Sequence, residues 1–391
     1  VVDVERLKSS WAQVAGFGDQ VPLRFYSRLF IAHPETREMF PLSMAAQRDK
    51  LVSALGHTVS HVDDLDELLP FVQQLGRDHR KFGVVPEHYA PVGEALLATL
   101  ADFLGSEWTE QLAQDWVEAY GLVAKVMIEA AEKAAQDTPP WWEAEVVAHE
   151  RRSFDLAVLT IQPKPAFDYV PGQSMAVETA LRPRVWRYYS PANAPRSDGT
   201  IDLHIRREPG GQVSSALVDG IRVGDVLRMG SPVGDGLTLD PTSRRDLLLI
   251  AGGTGLAPLK ALVEQVAEAT EAGEPARRVT LFVGARMDRD LYDMESLRTL
   301  EAGSSWLTVV PAVAGTPLEP DRHDPVVEVA LRHDDWADHD ICVCGSDAMV
   351  AATVERLQQA GYPAERIYRE GFLGLDGKTY GVPDLGEGDQ R

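Results

Sequence analysis

From the first residue to about 138, apolar positions recur at spacings of three and four. Between Trp108 and Ala131 the residues Leu112, Trp116, Ala119, Tyr120, Val123, Val126, Met127 and Ala130 share one helical face. No alternating stretch interrupts this third of the chain, so the pattern predicts a helical bundle. Pro22, Pro34, Pro41, Pro70, Pro86 and Pro91 are expected at helix starts or connections. Thr138-Pro139-Pro140-Trp141-Trp142 breaks the helix, and from Val146 the period shortens to two. Strands are predicted over 145–149, 154–161, 174–177, 185–189, 201–205 and 225–229, separated by turns rich in Pro, Gly and Asp, as in a small antiparallel barrel.

Near Arg244 the pattern changes again. Asp246 to Ala251 is a continuous apolar run, the signature of a strand buried on both faces of a parallel sheet. A glycine turn follows, then a helix over 259–272, a strand over 279–284 and a helix over 292–300. Strands over 307–310 and 340–343, a helix over 346–360 and a last strand over 367–372 complete the series. The chain therefore reads as multidomain: an all-α domain (1–138), an antiparallel β-barrel (139–243) and an α/β parallel-sheet domain (244–391). Its end, Leu373 to Arg391, is rich in Gly and Asp and reads as a loose tail.

Composition narrows the function. The 391 residues are 44% hydrophobic and 25% charged, enough for several cores. The net charge of −22 argues against a nucleic-acid partner and against an anionic membrane surface. Two cysteines, Cys342 and Cys344, cannot make a disulfide framework. The N-terminal residues show no signal-peptide pattern, and the longest uncharged apolar run, Leu247 to Leu259, is too short to span a bilayer. A reducing cytoplasm is the expected compartment.

Several residues carry candidate chemistry. In the helical third, His79 follows Leu65, Leu68, Val72 and Leu75 on an apolar stripe that continues to Phe82. A buried neutral imidazole can ligate a metal through one nitrogen; a satisfied core histidine is the alternative. Gln47 lies one turn before Leu51 and Leu55, where it is either a pocket donor or a boundary residue, and Tyr26 lies within an apolar run. In the barrel, Arg187-Tyr188-Tyr189-Ser190 places a guanidinium that can hold a phosphate and an aromatic ring on one strand face; a surface strand with a turn after it is the alternative. Gly211-Gln212-Val213-Ser214 opens a short helix at 215–218, whose N–H groups suit a pyrophosphate or simply form a capped turn. Arg182, Arg184, Arg187, Arg206 and Arg207 gather here in an otherwise acidic chain, which suits a bound dianion. After the strand 246–251 comes Gly253-Thr254-Gly255-Leu256-Ala257-Pro258, a Gly-x-Gly-x-x-Pro turn between strand and helix, the dinucleotide arrangement. Cys344-Gly345 closes the strand 340–343.

Taken together the motifs resemble a known family. Phe25-Tyr26-Ser27-Arg28-Leu29-Phe30, Glu38-Met39-Phe40, Gln47-Arg48-Asp49, Asp78-His79-Arg80-Lys81-Phe82, Tyr89 and Val92-Gly93-Glu94-Ala95-Leu96-Leu97 resemble the haem domain of flavohaemoglobins. Residues 153–243 resemble the flavin-binding barrel of the ferredoxin-reductase superfamily, and the glycine turn has that superfamily's form. The resemblance implies a globin, a barrel binding FAD and a domain binding NAD(P)H. It implies His79 as the proximal ligand of haem b, Tyr26 and Gln47 in the distal pocket, Tyr89 on the proximal side, and Phe40 and Leu51 against the haem. It implies that Arg187, Tyr188, Tyr189, Ser190, Gly211, Gln212, Val213 and Ser214 bind FAD. Gly253, Thr254, Gly255, Pro258, Cys344 and Gly345 would bind the nicotinamide cofactor, and Glu370 and Phe372 would stand near the flavin.

The implied activity is dioxygenation of nitric oxide with O2, in a monomer. The alternatives are another oxidoreductase role, such as O2 reduction or oxidation of an organic hydroxy acid, and an O2-binding or sensing haem protein. The chain departs from the family at Ala131, where a Glu beside the proximal His is usual, with Glu129 and Glu132 on other helical faces, and at Asp78, where Lys is common. Arg286 could meet a 2′-phosphate, but Asp288 and Asp290 would repel one, so NADH is expected over NADPH.

Overall fold

A computed structural model describes residues 2–314 and 325–370. Phe372 and the tail from Leu373 lie outside the described residues. The chain divides into two compact units, one made mainly of residues 1–141 and one mainly of 142–370.

The first unit is helical: α1 (Val4–Ala15), α2 (Gln20–Ala32), α3 (Ala45–Ser60), α4 (Leu65–His79), α5 (Tyr89–Leu104) and α6 (Glu110–Asp137). Asp3, Asp64 and Thr109 cap α1, α4 and α6 with side-chain oxygens. Leu7, Trp11, Val14, Phe25, Leu29, Leu100 and Trp116 form the main core. A second cluster, Leu68, Phe71, Val72 and Met127, joins α4 to α6. The two helices approach closely at Gly76, where a Cβ would stand 2.7 Å from the Met127 Cα; only a residue without Cβ lets the backbones meet there.

Two expectations for α4 change. Pro70 lies inside the helix instead of at its start. Leu65, placed on the buried stripe by its spacing, is 55% exposed, and Phe82 is also exposed. Leu65 is the first helical residue, beyond the edge of the core. The α-helix ends at His79 and tightens into the turn Arg80–Phe82, so the helical period no longer applies to Phe82.

The second unit has two sheets. The first is antiparallel: β1 (Trp142–Arg151), β2 (Leu156–Lys164), β3 (Ser174–Thr179), β4 (Arg187–Tyr189), β5 (Ile201–Arg206) and β6 (Val226–Val233), in the order β4-β3-β6-β1-β2-β5. A bridge between Pro191 and Leu203 brings the β4 end to β5 and nearly closes a barrel. Inward positions are filled by Leu159, Ile161, Met175, Ile201, Leu203 and Ile205, all fully buried. Phe154, expected within β2, is exposed ahead of the strand, its ring under the Arg207 guanidinium. The short helix after Gly211 is α7 (Gln212–Ser215), three residues earlier than expected, and it continues into a wider turn over Ala216–Gly220.

The second sheet is parallel: β7 (Asp246–Gly252), β8 (Val279–Ala285), β9 (Leu307–Val313), β10 (His339–Cys344) and β11 (Ile367–Arg369), in the order β11-β10-β7-β8-β9. Central β7 is buried on both faces, Leu247, Leu249 and Ala251 in one cluster and Leu248 and Ile250 in the other, as its unbroken apolar run requires. The helices are α8 (Leu256–Glu271), α9 (Met294–Ala302), α10 (Val326–His333) and α11 (Asp347–Gln359). Helix α8 begins three residues before its expected start. Pro258 sits in its first turn, where an N–H has no intrahelical partner, so proline does not delay it. Helix α10 was not expected from the pattern.

Candidate functional site

In the helical unit the candidate residues fall into two groups. Tyr26, on α2, is 6% exposed and packs among rings: edge-on to Phe25 at 4.9 Å and Phe40 at 5.4 Å, and stacked on Phe30 at 5.7 Å. Its hydroxyl donates to the Gln47 main-chain oxygen at 3.4 Å. Burial lifts its pKa to about 12, so it is a neutral donor at any physiological pH. Gln47 and Leu51 are half-buried on α3, and Leu51 and Phe40 pack against the core that contains Tyr26.

The second group surrounds the end of α4. The His79 Nδ1 and the Leu75 carbonyl oxygen are 2.7 Å apart. A carbonyl only accepts, so Nδ1 carries the proton and Nε2 keeps its lone pair, the tautomer an axial ligand needs. Burial lowers the His79 pKa, against the opposing effects of Leu75 and Asp78, and favours the neutral ring. These features fit haem ligation through Nε2. Tyr89 packs on the cluster that includes Leu75, and its carbonyl accepts from the Tyr120 hydroxyl at 2.6 Å.

Neither neighbouring glutamate takes the place left by Ala131. Glu129 pairs with Lys125 at 3.8 Å, both well exposed, and Glu132 is also exposed. A carbonyl partner withdraws the N–H proton less than a carboxylate does. The iron–histidine stretching frequency of the ferrous protein is therefore expected below that of relatives bearing a Glu, and is expected to rise in Ala131→Glu. Resonance Raman reads both; a high parent frequency that falls in Glu129→Gln or Glu132→Gln contradicts the assignment.

In the second unit, Arg187 and Tyr189 flank Tyr188 on β4, which pairs with β3 through Met175–Tyr189 and Val177–Arg187. Tyr188 is exposed, while burial pushes the Tyr189 hydroxyl well above its usual range. Of the expected arginine cluster, two members are engaged elsewhere: Arg206 pairs with Asp155 at 2.7 Å and Arg207 with Asp219 at 3.1 Å. Arg187 donates to the Trp186 carbonyl at 2.8 Å and pairs with no carboxylate among the described residues, so its charge suits a phosphate. Nearby, Val213 and Ser214 are buried in α7, and the Glu208 N–H donates to the Ser214 hydroxyl at 3.1 Å. Arg187→Ala is expected to cost FAD affinity about 1.5–3 kcal/mol, a factor of roughly 10 to 150, without changing haem content. An unchanged flavin-to-haem ratio after dialysis contradicts this role.

The sheet supplies the third group. β8 lies on one side of β7 and β10 on the other, so the strand order reverses at the carboxyl end of β7, where ligands bind in open α/β sheets. Gly253, with φ of 55°, and Thr254 form the turn there, and Gly255 presses on the end of β10: a Cβ on it would stand 2.5 Å from the Gly345 nitrogen.

Cys344 ends β10 as a buried free thiol. Its Sγ lies 3.7 Å from Glu370 Oε2. The other oxygen of Glu370 accepts from Ser190 at 3.1 Å and from Ser174, whose hydroxyl lies 3.1 Å from that of Ser190. One carboxylate thus joins the barrel motif to the parallel sheet. Ser174 was not anticipated as a site residue; its only sequence signal is its place as the first residue of β3.

Family models match in order: Globin over residues 23–127, Oxidoreductase FAD-binding domain over 142–236 and Oxidoreductase NAD-binding domain over 249–355. A flavohemoprotein of Bordetella bronchiseptica is 32% identical over 385 residues, covering 91% of this chain and 94% of its own. One from Bacillus subtilis is 28% identical over 393 residues, covering 94% and 96%. The flavohemoglobin of Malassezia yamatoensis, solved with bound FAD and haem, shares the fold with a TM-score of 0.73 at 21% identity, covering 94% and 97%. The ferredoxin reductase in carbazole 1,9a-dioxygenase matches with a TM-score of 0.53 at 28% identity, covering 60% of this chain and 70% of its own. No helix among the described residues is long and apolar enough to cross a membrane. A globin with a neutral histidine at the end of α4, followed by a flavin barrel and a nicotinamide-binding sheet, places this chain in the flavohaemoprotein family, NAD(P)H-dependent oxidoreductases whose cofactors are haem and FAD.

Proposed function

We propose that the chain is a nitric oxide dioxygenase with three working domains, 1–138 for haem, 139–243 for FAD and 244–391 for NADH. The net reaction consumes two NO and two O2 with one NADH and yields two nitrates, NAD+ and one proton. When bound, haem supplies O2 binding and one-electron chemistry, and FAD converts the two-electron hydride into single electrons.

The protein's part follows from its residues. His79 would hold the haem iron through Nε2, while the Leu75 carbonyl fixes its ring. Arg187 and the α7 N-terminus would take the FAD phosphates, and Tyr189 and Ser190 its flavin end. Glu370, Ser174, Ser190 and Cys344, which contact one another, would border the place where the flavin and nicotinamide meet. The glycine turn takes the nicotinamide cofactor. Exposed Asp288, beside Arg286, favours NADH over NADPH.

The observation that carries the reading is the neutral, buried Tyr26 hydroxyl beside Gln47, in the same chain as a reductase. On turning from the Gln47 main-chain oxygen, such a hydroxyl would donate to a ligand oxygen that gains negative charge in a dry pocket. Tyr26→Phe removes the hydroxyl and keeps the ring. A neutral hydrogen bond contributes about 0.5–1.5 kcal/mol, so O2 release is expected to quicken by roughly two- to tenfold. Unchanged stopped-flow release places the hydroxyl away from the ligand. NADH consumption with and without NO tests the function itself. Strong NO dependence supports it. NO-independent turnover favours O2 reduction or hydroxy-acid oxidation, and negligible turnover favours sensing.

A further inference from the structure

The barrel and the parallel sheet meet through polar side chains that no step above uses. Lys260 and Glu264, one turn apart on α8, both face the meeting surface. Lys260 is 7% exposed and its Nζ lies 3.1 Å from Asp293 Oδ2. The other oxygen of Asp293 lies 3.7 Å from Arg152, the residue after β1 in the barrel. Asp293 is 4% exposed and occupies the N-cap position of α9, yet its side chain does not cap that helix. Beside it, the Tyr292 hydroxyl and Nδ1 of His204 on β5 share a hydrogen bond of 2.8 Å. Glu264 accepts from the Ala194 N–H, after β4, at 3.1 Å. Burial holds the His204 pKa at about 4, so the ring is neutral and its bond to Tyr292 does not change with pH in the working range.

A buried ion pair contributes little net stability compared with apolar residues of the same shape, but it tolerates few geometries. Five side chains spent on one contact therefore point to position. Tyr292 also packs on the cluster that contains Cys344, at the end of β10. A shift at His204–Tyr292 thus reaches the region where Cys344 and Glu370 meet Ser190.

We propose that His204, Tyr292, Lys260, Asp293 and Arg152 form a polar lock that fixes the barrel against the nucleotide half and sets the alignment for hydride transfer. In that step the C4–H bond of the dihydronicotinamide breaks and the hydride, with both electrons, bonds to the flavin. The nicotinamide is oxidised, the flavin is reduced, and one proton comes from solvent. These are positioning residues: none needs to touch the reacting atoms. The inference rests on the family's reductase half and not on the nitric oxide reading, because the test omits both NO and O2.

The test uses the full holoprotein in two variants, Tyr292→Phe, which removes one hydroxyl, and Lys260→Met, which removes the buried cation. Anaerobic stopped-flow follows flavin reduction at saturating NADH, and amide hydrogen exchange is read over residues 201–206 and 288–297. Flavin reduction is expected to slow roughly tenfold at saturation, since small misplacements of reacting groups have large effects on rate. Both segments should exchange faster, with FAD retained. Faster exchange with an unchanged reduction rate makes the lock a brace alone and overturns the proposal. Unchanged exchange in both variants also overturns it. Loss of FAD from Tyr292→Phe assigns these contacts to folding and overturns it as well.

Discussion

His79→Ala is expected to leave the globin unit without its Soret band while FAD stays bound. The ring is the only group at the end of α4 with the tautomer and burial of an axial ligand, because the Leu75 carbonyl fixes the proton on Nδ1. Alanine offers no replacement atom. Other histidines in the unit are placed differently: His61 Nδ1 contacts the His57 carbonyl at 2.9 Å, the two rings lie 4.3 Å apart, and His88 Nδ1 accepts from the Val85 N–H at 3.1 Å. Electrons from NADH should still bleach the flavin in this variant, since the second unit is untouched. The spectrum of the purified variant decides it. Normal haem content would move the ligand to one of these other rings.

The second large effect is expected at Gly255. An added Cβ would overlap the Cys344 carbonyl and stand 2.5 Å from the Gly345 nitrogen, so backbone and not a flexible side chain would have to give way. Overpacking of this kind costs about 1–3 kcal/mol. Its local consequence is larger, because the glycine turn and the Cys344–Gly345 step are the two edges of the proposed nicotinamide site. Gly255→Ala should nearly abolish flavin reduction by NADH while leaving O2 binding to dithionite-reduced haem unchanged. Stopped-flow reduction alongside an O2 titration separates these outcomes. Rapid reduction in the variant would show that the cofactor does not use this crevice.

Much of this architecture was legible in the sequence for identifiable reasons. The switch of period at Thr138–Trp142 and the unbroken apolar run at β7 follow directly from which faces are buried. Helix α10 was not legible: at eight residues it is shorter than the window in which a helical period stands out. The ends of α7 and α8 were misplaced because their first turns contain Gly-rich and Pro-containing sequence that also suits a loop.

At the candidate site, local motifs such as Arg187–Ser190 and Gly253–Pro258 announced themselves by spacing. The contacts between them did not. Ser174 meets Glu370 across 196 residues and His204 meets Tyr292 across 88, and no local pattern encodes such pairs. Arg206 and Arg207 looked available for a dianion only because their partners, Asp155 and Asp219, lie across strand and loop connections.

The most direct measurement of the central claim is the fate of isotopically labelled dioxygen. Holoprotein supplied with NADH, unlabelled NO and oxygen-18 gas should form nitrate that carries both atoms of one O2 molecule, two nitrates for each NADH consumed. Nitrate without the label, or NADH consumed with no nitrate formed, would contradict it.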